Sequence, residues 1–287
     1  MTKLSPLSQN SLTFYSELTD FLVSHETFQL FYDKEWDMLI TQPIPENLDS
    51  YYKSAAYKPH QHQSKSIFDK IYNYIRKRGY KYKLDIIKQY NPAAQSVLDY
   101  GTATGEFLHF LSKETFRVSG VEPNKNARNI ANQLLENKVM VSIDDSTNTY
   151  DVITLWHVLE HIPNIDEIIQ KLKQKLNPQG IILVAVPNFK SFDAQYYQKH
   201  WAAYDVPRHL WHFSPKSVNK LFQKHKMAVI AQKPLYFDSF YVSLLSEKYK
   251  RGRQCLIKAF INGLRSNIKA KKSADYSSLI YVIKSTD

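Results

Sequence analysis

VLDYGTATGEF, residues 97–107, reads as a strand ending in an acid, a turn through two glycines, and the start of a helix. The chain has only seven glycines in 287 residues. Four of them, Gly101, Gly105, Gly120 and Gly180, lie within one 80-residue window, each beside a hydrophobic run. A sequence so sparing with glycine places it where a backbone without a Cβ is needed. In an open α/β sheet, ligands bind just beyond the carboxyl ends of such strands, where a following helix presents its N–H groups. A second strand ends in Glu122, 21 residues after Gly101, a position suited to accepting hydrogen bonds from ribose hydroxyls. The spacing argues against a nicotinamide dinucleotide. That fingerprint is G-x-G-x-x-G, whereas this turn runs G-T-A-T-G with no third glycine. An acid directly before the turn also repels a pyrophosphate and favours a cationic ligand.

Outward from the turn, strand patterns at 96–100, 116–122, 139–143, 150–156 and 181–187 alternate with helical patterns at 106–113, 124–137 and 165–176. The segment YDVITLW (150–156) is almost wholly apolar, which places it centrally. Strands alternating with helices predict an α/β fold: a parallel sheet covered on both faces. Residues 177–180, Asn-Pro-Gln-Gly, are expected to turn. A helix at 215–225, a strand at 227–232, an amphipathic stretch at 253–268 and a last strand at 277–284 follow. Residues 1–90 mix short apolar pieces with Tyr, Gln and Lys. They read as an irregular or helical extension with a Pro-marked loop at 42–45 and a basic helix from about 64 to 90.

With 43% hydrophobic and 14% aromatic residues the chain can bury a large core, which excludes disordered and collagen-like classes. No apolar run approaches the roughly 18 residues of a membrane-spanning helix. The first residues lack the apolar stretch of a signal peptide, so a soluble, cytoplasmic protein is expected. Cys255 is the only cysteine, which excludes an internal disulfide and a cysteine-rich zinc site. The net charge of +11 is uneven. Residues 248–272 carry nine Lys/Arg and no acid, residues 64–88 carry a net +6, and the rest of the chain is left at −4. Two basic flanks around a mildly acidic middle point the flanks, rather than the core, at an acidic partner.

VLDYGTATGEF, Gly120-Val-Glu122-Pro123, YDVITLWHVLEHI (150–162) and LNPQGIILVAVPN (176–188) resemble, in order and spacing, the four signature motifs of class I S-adenosylmethionine-dependent methyltransferases. The chain is most similar to the bacterial methyltransferase domain 23 type, related to ubiquinone-biosynthesis O-methyltransferases, over roughly residues 45–233. The resemblance implies a Rossmann-like, seven-stranded, mostly parallel sheet with an antiparallel last strand. It implies an extension and lid over 1–90 and a cofactor-binding domain over 91–287, with inserts at 188–214 and 236–276. It also implies methyl transfer from S-adenosylmethionine to a small-molecule, sugar or lipid-like acceptor, O-methylation being expected. Asp99, Gly101 and Gly105 would line the methionine end of the cofactor, and Tyr100, Thr102, Ala103, Phe107 and Pro123 would also belong to its site. Glu122 would hold the ribose hydroxyls, Asp144 or Asp145 would lie near the adenine, and Trp156 and His157 would sit close to the sulfonium. Ala103 stands where the family has its central glycine, and this departure motivates an alternative: an inactive cofactor-binding protein with a sensing or scaffolding role.

Other readings compete. His157-Val-Leu-Glu160-His161 matches H-x-x-E-H, the string of inverted zinc peptidases. Its place after an apolar strand favours the methyltransferase reading, and no metal site is expected there, a divalent ion at Glu160/His161 being the lesser alternative. The segment 191–214 resembles the family's D-x-P-R-H-L-x-H-F stretch. It would roof the acceptor site, with His209 or His157 as general base and Arg208 as an anion clamp. A purely structural role, with Arg208 bridged to Asp205, competes equally. Residues 51–60 resemble a cofactor-covering segment, which makes Tyr52, Tyr57 and His60 lid candidates. The family's upstream Cys-x-x-Cys is replaced by Asp33 and Trp36. The basic helix 253–272 is read chiefly as solvated and packed on the core or a second subunit. Peripheral membrane contact is the alternative, and no nucleic-acid partner is expected.

Overall fold

The computed structural model describes residues 5–7, 10–52 and 67–287, with side chains in the last stretch from residue 74 onward. The lid candidates Tyr57 and His60 lie outside the described residues. Among these residues the chain forms two sheets. The larger has seven strands: β4 (Ser96–Tyr100), β5 (Arg117–Val121), β6 (Val139–Met140), β7 (Tyr150–Trp156), β8 (Leu176–Pro187), β10 (Met227–Pro234) and β11 (Ser278–Ser285). Their order is β10-β11-β8-β7-β4-β5-β6. Only β11 runs against the rest, pairing antiparallel with both β8 and β10, as the sequence predicts for 277–284.

The strands alternate side chains between faces with a period of two, and both faces are apolar. Ile182, Val184 and Val186 enter one core with Leu98, Ile153 and Leu155. Ile181, Leu183 and Ala185 enter the other with Val97 and Val152. Helices α4 (Ile165–Gln174) and α6 (Pro215–Lys224) cover the first face through Ile165, Ile169, Leu172, Val218 and Leu221. Helices α1 (Ile67–Tyr90), α2 (Glu106–Ser112) and α3 (Lys125–Leu135) cover the second through Leu84, Ile87, Phe107, Leu111 and Leu135. This is the three-layer arrangement that buried parallel strands require.

The N-terminal region departs from the expectation of an irregular or helical extension. Strands β1 (Thr13–Thr19), β2 (Thr27–Asp33) and β3 (Met38–Gln42) form an antiparallel meander, which the two-residue β9 (Trp211–His212) extends. Thr, Tyr, Phe and Leu at alternating positions suit a half-buried pleated surface. Phe28, Leu30 and Leu39 pack on Trp201, Tyr204 and Val206 of the segment 191–214. Asp20 closes the β1–β2 turn, accepting hydrogen bonds from the backbone N–H groups of Leu22, Val23 and Ser24. The second expected turn is also revised. Leu176 to Gly180 already belong to β8, with Gln179 in the left-handed region at φ 63°.

Residues 236–276 form a helical hairpin, α7 (Asp238–Arg251) and α8 (Leu256–Ser273). The short helix α5 (Phe192–Tyr197) opens the roof segment and packs against both helices. No helix among the described residues is long and apolar enough to cross a membrane.

Candidate active site at the ends of the central strands

The turn after β4 takes the conformation its glycines permit. Gly101 and Gly105 lie at φ 77° and 80°, and between them Ala103 adopts φ 51°. A Cβ on Gly101 would stand 2.5 Å from Val158 Cγ2, so both backbone angle and space demand glycine there. Ala103 holds a left-handed angle at a cost of about 1–2 kcal/mol for an L-residue. The turn's N–H groups anchor it to the next strand, with Gly101 N and Thr102 N donating to Val121 O at 2.8 and 3.1 Å. Ala103 N donates to Glu122 Oε2 at 2.9 Å, and Asn124 N donates to Glu122 Oε1 at 2.8 Å. Glu122 is thereby oriented at the strand end. Burial raises its carboxyl, and these two backbone bonds oppose the rise.

Asp99 is buried just beneath the turn and accepts a 2.6 Å hydrogen bond from Thr154 Oγ1. Burial pushes its carboxyl up to about 6, against the Thr154 hydroxyl and the nearby Lys83 charge, which favour the ionised form. Lys83, from α1, carries its Nζ 4.0 Å over the Trp156 ring and 5.2 Å from the Phe107 ring, and these two rings meet edge to face at 5.6 Å. Burial brings this ammonium down to about 8, while Asp99 and Asp238 draw it back up. The ends of β4 and β7 thus enclose an acid, an aromatic pair and a cation. Thr102 is buried beside them, Tyr100 is half-buried, and Pro123 is exposed at the rim.

His157 follows Trp156 at φ 56°. Its Nε2 lies 2.8 Å from Asp238 Oδ2, and its Nδ1 lies 3.3 Å from Glu160 Oε1. Burial alone would lower the imidazole, but the Asp238 and Glu160 carboxylates overcome it and raise the group to about 10. His157 is therefore an imidazolium at neutral pH. Glu160 is wholly buried. Burial would raise its carboxyl, and the bond to His157 holds it below the usual range. Its second oxygen, Oε2, has no hydrogen-bond partner among the described residues.

The roof segment brings two of its candidates to different tasks. Arg208 is 1% exposed and directs Nε and Nη2 at Asp205 and Nη1 and Nη2 at Asp20, the shortest contact being 2.6 Å to Asp205 Oδ1. It fastens the roof to the β1–β2 turn instead of presenting itself to an anion. His209 is buried, with Nδ1 2.9 Å from Ala203 O and its ring 4.5 Å from that of His161. Burial holds its imidazole well below the ordinary range, so it is neutral, with Nδ1–H donated and Nε2 carrying the lone pair. Ligand-type atoms of Glu160, His161 and His209 lie within 4.8 Å of one another. Tyr52 reaches the same cluster, its hydroxyl 3.0 Å from His161 Nδ1.

The H-x-x-E-H string does not make a zinc-binding helix. Residues 159–161 form a single 3-10 turn, His157 faces Asp238, and His161 faces Tyr52 and the Arg208 carbonyl. Asp144 and Asp145 sit in the turn after β6, where Asp144 is bridged to Lys171 at 2.8 Å and Asp145 closes a capping box with Ser142. Lys83, Asp238 and Thr154 are the site residues that sequence reasoning missed. Lys83 had a usable signal. It stands on the same helical face as Tyr80, Leu84 and Ile87, where a lysine needs an explanation.

The model of the methyltransferase domain family matches residues 72–232, from within α1 into β10 and over more than half of the chain. The chain belongs to this methyltransferase-domain family. Two curated relatives fit that placement. The ubiquinone biosynthesis O-methyltransferase of Rickettsia typhi is 29% identical over 126 residues, covering 40% of this chain and 50% of the relative. The enzyme of the same name from Bradyrhizobium diazoefficiens is 24% identical over 160 residues, covering 50% and 62%. The chain therefore spans about half to three-fifths of the length of the curated relatives it matches. Among solved structures, magnesium protoporphyrin IX methyltransferase from Synechocystis PCC 6803 with bound SAH superposes with a TM-score of 0.51 at 12% identity, over 80% of this chain and 91% of that one. At that identity the likeness concerns the fold. The family match covers the methyltransferase turn, Glu122 and the roof, and it leaves outside it the first three strands, the α7–α8 hairpin and β11.

Proposed function

We propose that this methyltransferase-domain chain uses S-adenosylmethionine to methylate a small or lipid-like acceptor, with a hydroxyl as the receiving group. The observation that carries the reading is the pairing of the two strand ends. Glu122 is oriented by two backbone bonds to accept from ribose hydroxyls, and the Asp99–Lys83 pair beside it offers opposite charges to an amino-acid zwitterion. The Trp156 and Phe107 rings, which already hold an ammonium, suit a sulfonium for the same electrostatic reason. When bound, the cofactor supplies an activated methyl group, and the protein's remaining work is positioning, which provides on the order of 7–11 kcal/mol.

Of the two candidate bases, His157 is committed to Asp238 and Glu160 as an imidazolium and has no lone pair to offer. His209 is the base we favour. It is neutral, its tautomer is fixed by the Ala203 carbonyl, and the nearby Glu160 carboxylate would stabilise the imidazolium formed when Nε2 takes the acceptor's proton. Arg208 positions this base by locking the roof. Ala103 keeps the left-handed turn that a glycine would make, which supports cofactor binding.

The test is turnover of S-adenosylmethionine against a panel of phenols, sugars and lipids. Methyl transfer to at least one acceptor, lost by 10²–10⁴-fold in His209→Gln with cofactor affinity retained, is the expected result. Binding without transfer to any acceptor would favour the inactive reading. Activity that is unchanged in His209→Gln would remove the base assignment. Activity is expected to survive chelation, and dependence on a divalent ion would reassign Glu160, His161 and His209 as metal ligands.

A further inference from the structure

Helix α8 is built inside out. The residues it turns toward the protein are small or polar: Ala259, Asn262, Gly263, Ser266 and Ala270 are buried. The opposite side carries its large apolar residues, and these face solvent: Leu256 59%, Ile257 75%, Phe260 60%, Ile261 41%, Leu264 43% and Ile268 55% exposed. At about 100° per residue the two sets fall on opposite sides of the helix. A helix packed on a water-soluble core shows the reverse. The orientation is fixed by hydrogen bonds. Ser266 Oγ donates to the buried Asp193 at 2.7 Å, Asn262 Nδ2 donates to Tyr197 OH at 2.9 Å, and Ser239 Oγ of α7 donates to Gly263 O at 3.1 Å. A Cβ on Gly263 would stand 2.7 Å from the Phe240 ring, so α7 and α8 touch through a glycine. Turning α8 over would strand these polar partners and force a bulky face into that contact.

The exposed stripe has a charged border. Lys258, Arg265 and Lys272 project along one flank, and Lys269 on the same flank rests its Nζ 4.1 Å over the Phe192 ring, within the stretch 248–272 that has nine basic residues and no acid. We propose that this face seats the protein on an anionic lipid bilayer, with α8 lying in the interface plane, its apolar side among the acyl chains and its basic flank on the headgroups. Both halves of the surface are then satisfied, apolar area by hydrocarbon and cations by phosphate. The helix neither is long enough in apolar residues nor needs to cross. A second copy of the chain covering the same stripe would set two such basic stretches, with no acid between 248 and 272, against each other, and like charges repel. The inference does not depend on the methyltransferase reading. Asp238, which opens α7 and holds His157, ties the same hairpin to the candidate active site.

Flotation of the whole protein with lipid vesicles tests it. Vesicles of phosphatidylcholine with about one-third phosphatidylglycerol should bind it at least tenfold more tightly than phosphatidylcholine alone, since each basic residue near an anionic surface strengthens binding about fivefold. Ile257→Glu/Ile261→Glu, at exposed positions, should lose that binding tenfold or more with its thermal unfolding unchanged. Lys258→Gln/Arg265→Gln should lose the preference for anionic vesicles. Failure to bind any vesicle, binding indifferent to both double variants, or a dimer in sedimentation that Ile257→Glu/Ile261→Glu splits into monomers would each overturn the proposal, the last by assigning the stripe to a second copy.

Discussion

At the scale of single residues the site is a set of groups held in charge states that their surroundings dictate. Ala103 carries a backbone angle that glycine adopts without penalty. Relief of about 1–2 kcal/mol of left-handed strain outweighs the 0.4–1 kcal/mol that glycine costs through the unfolded chain. Ala103→Gly should therefore stabilise the protein slightly, by up to about 1.6 kcal/mol, in a denaturant titration, and a loss of stability would contradict the assigned turn. His157 is the second case. Its folded pKa, about 10, lies above its ordinary value, so its contribution to stability is complete below about pH 6.5 and is lost as pH rises toward 10. Its imidazole resonance should stay in the protonated position through neutral pH and titrate lower in Asp238→Asn. A wild-type midpoint near 6.5 would show that Asp238 does not hold it. Both residues were legible as site candidates. Their states were not, because Asp238 lies 81 residues from His157 in the chain and only the fold brings it within 2.8 Å.

At the scale of elements, the sequence was most readable where periodicity and length agree. The apolar 150–156 run became β7, the 227–232 pattern became β10, and the 277–284 pattern became the antiparallel β11. The first three strands were hidden because their pattern is one-sided and interrupted. β1 has one buried residue, Leu18, and a register shift between Phe14 and Ser16 breaks its alternation. Helix α8 misled for another reason. Its apolar stripe has the spacing of a core-facing helix, and nothing local in the sequence says that small polar residues turn inward to meet Asp193 and Tyr197. The turn after β4 makes a sharper prediction. Gly101→Ala would place a methyl 2.5 Å from Val158 at φ 77°, combining backbone strain with overpacking. It should destabilise by about 2–4 kcal/mol and abolish cofactor binding. A variant as stable as the parent would refute the geometry of the turn.

At the scale of the whole molecule, the large sheet, α1, the roof and the helical hairpin converge on one rim. The large sheet supplies Asp99, Glu122 and Trp156, α1 supplies Lys83, the roof supplies His209, and the hairpin supplies Asp238. This convergence sets a pH window for the proposed ligand. In the proposed binding mode the cofactor's ammonium would face Asp99, whose charge is lost below about 6, and its carboxylate would face Lys83, whose charge is lost above about 8. Affinity should be greatest between those limits, and Lys83→Met should remove the alkaline fall while lowering the plateau. Calorimetric titration of the whole protein with S-adenosylhomocysteine at pH 7 tests the cofactor site. One site per chain is expected, weakened about 10–100-fold by Glu122→Gln, the loss that follows when a hydrogen bond to a charged group goes, with little change in thermal unfolding. An absence of binding heat, or the same affinity in Glu122→Gln, would contradict the cofactor site.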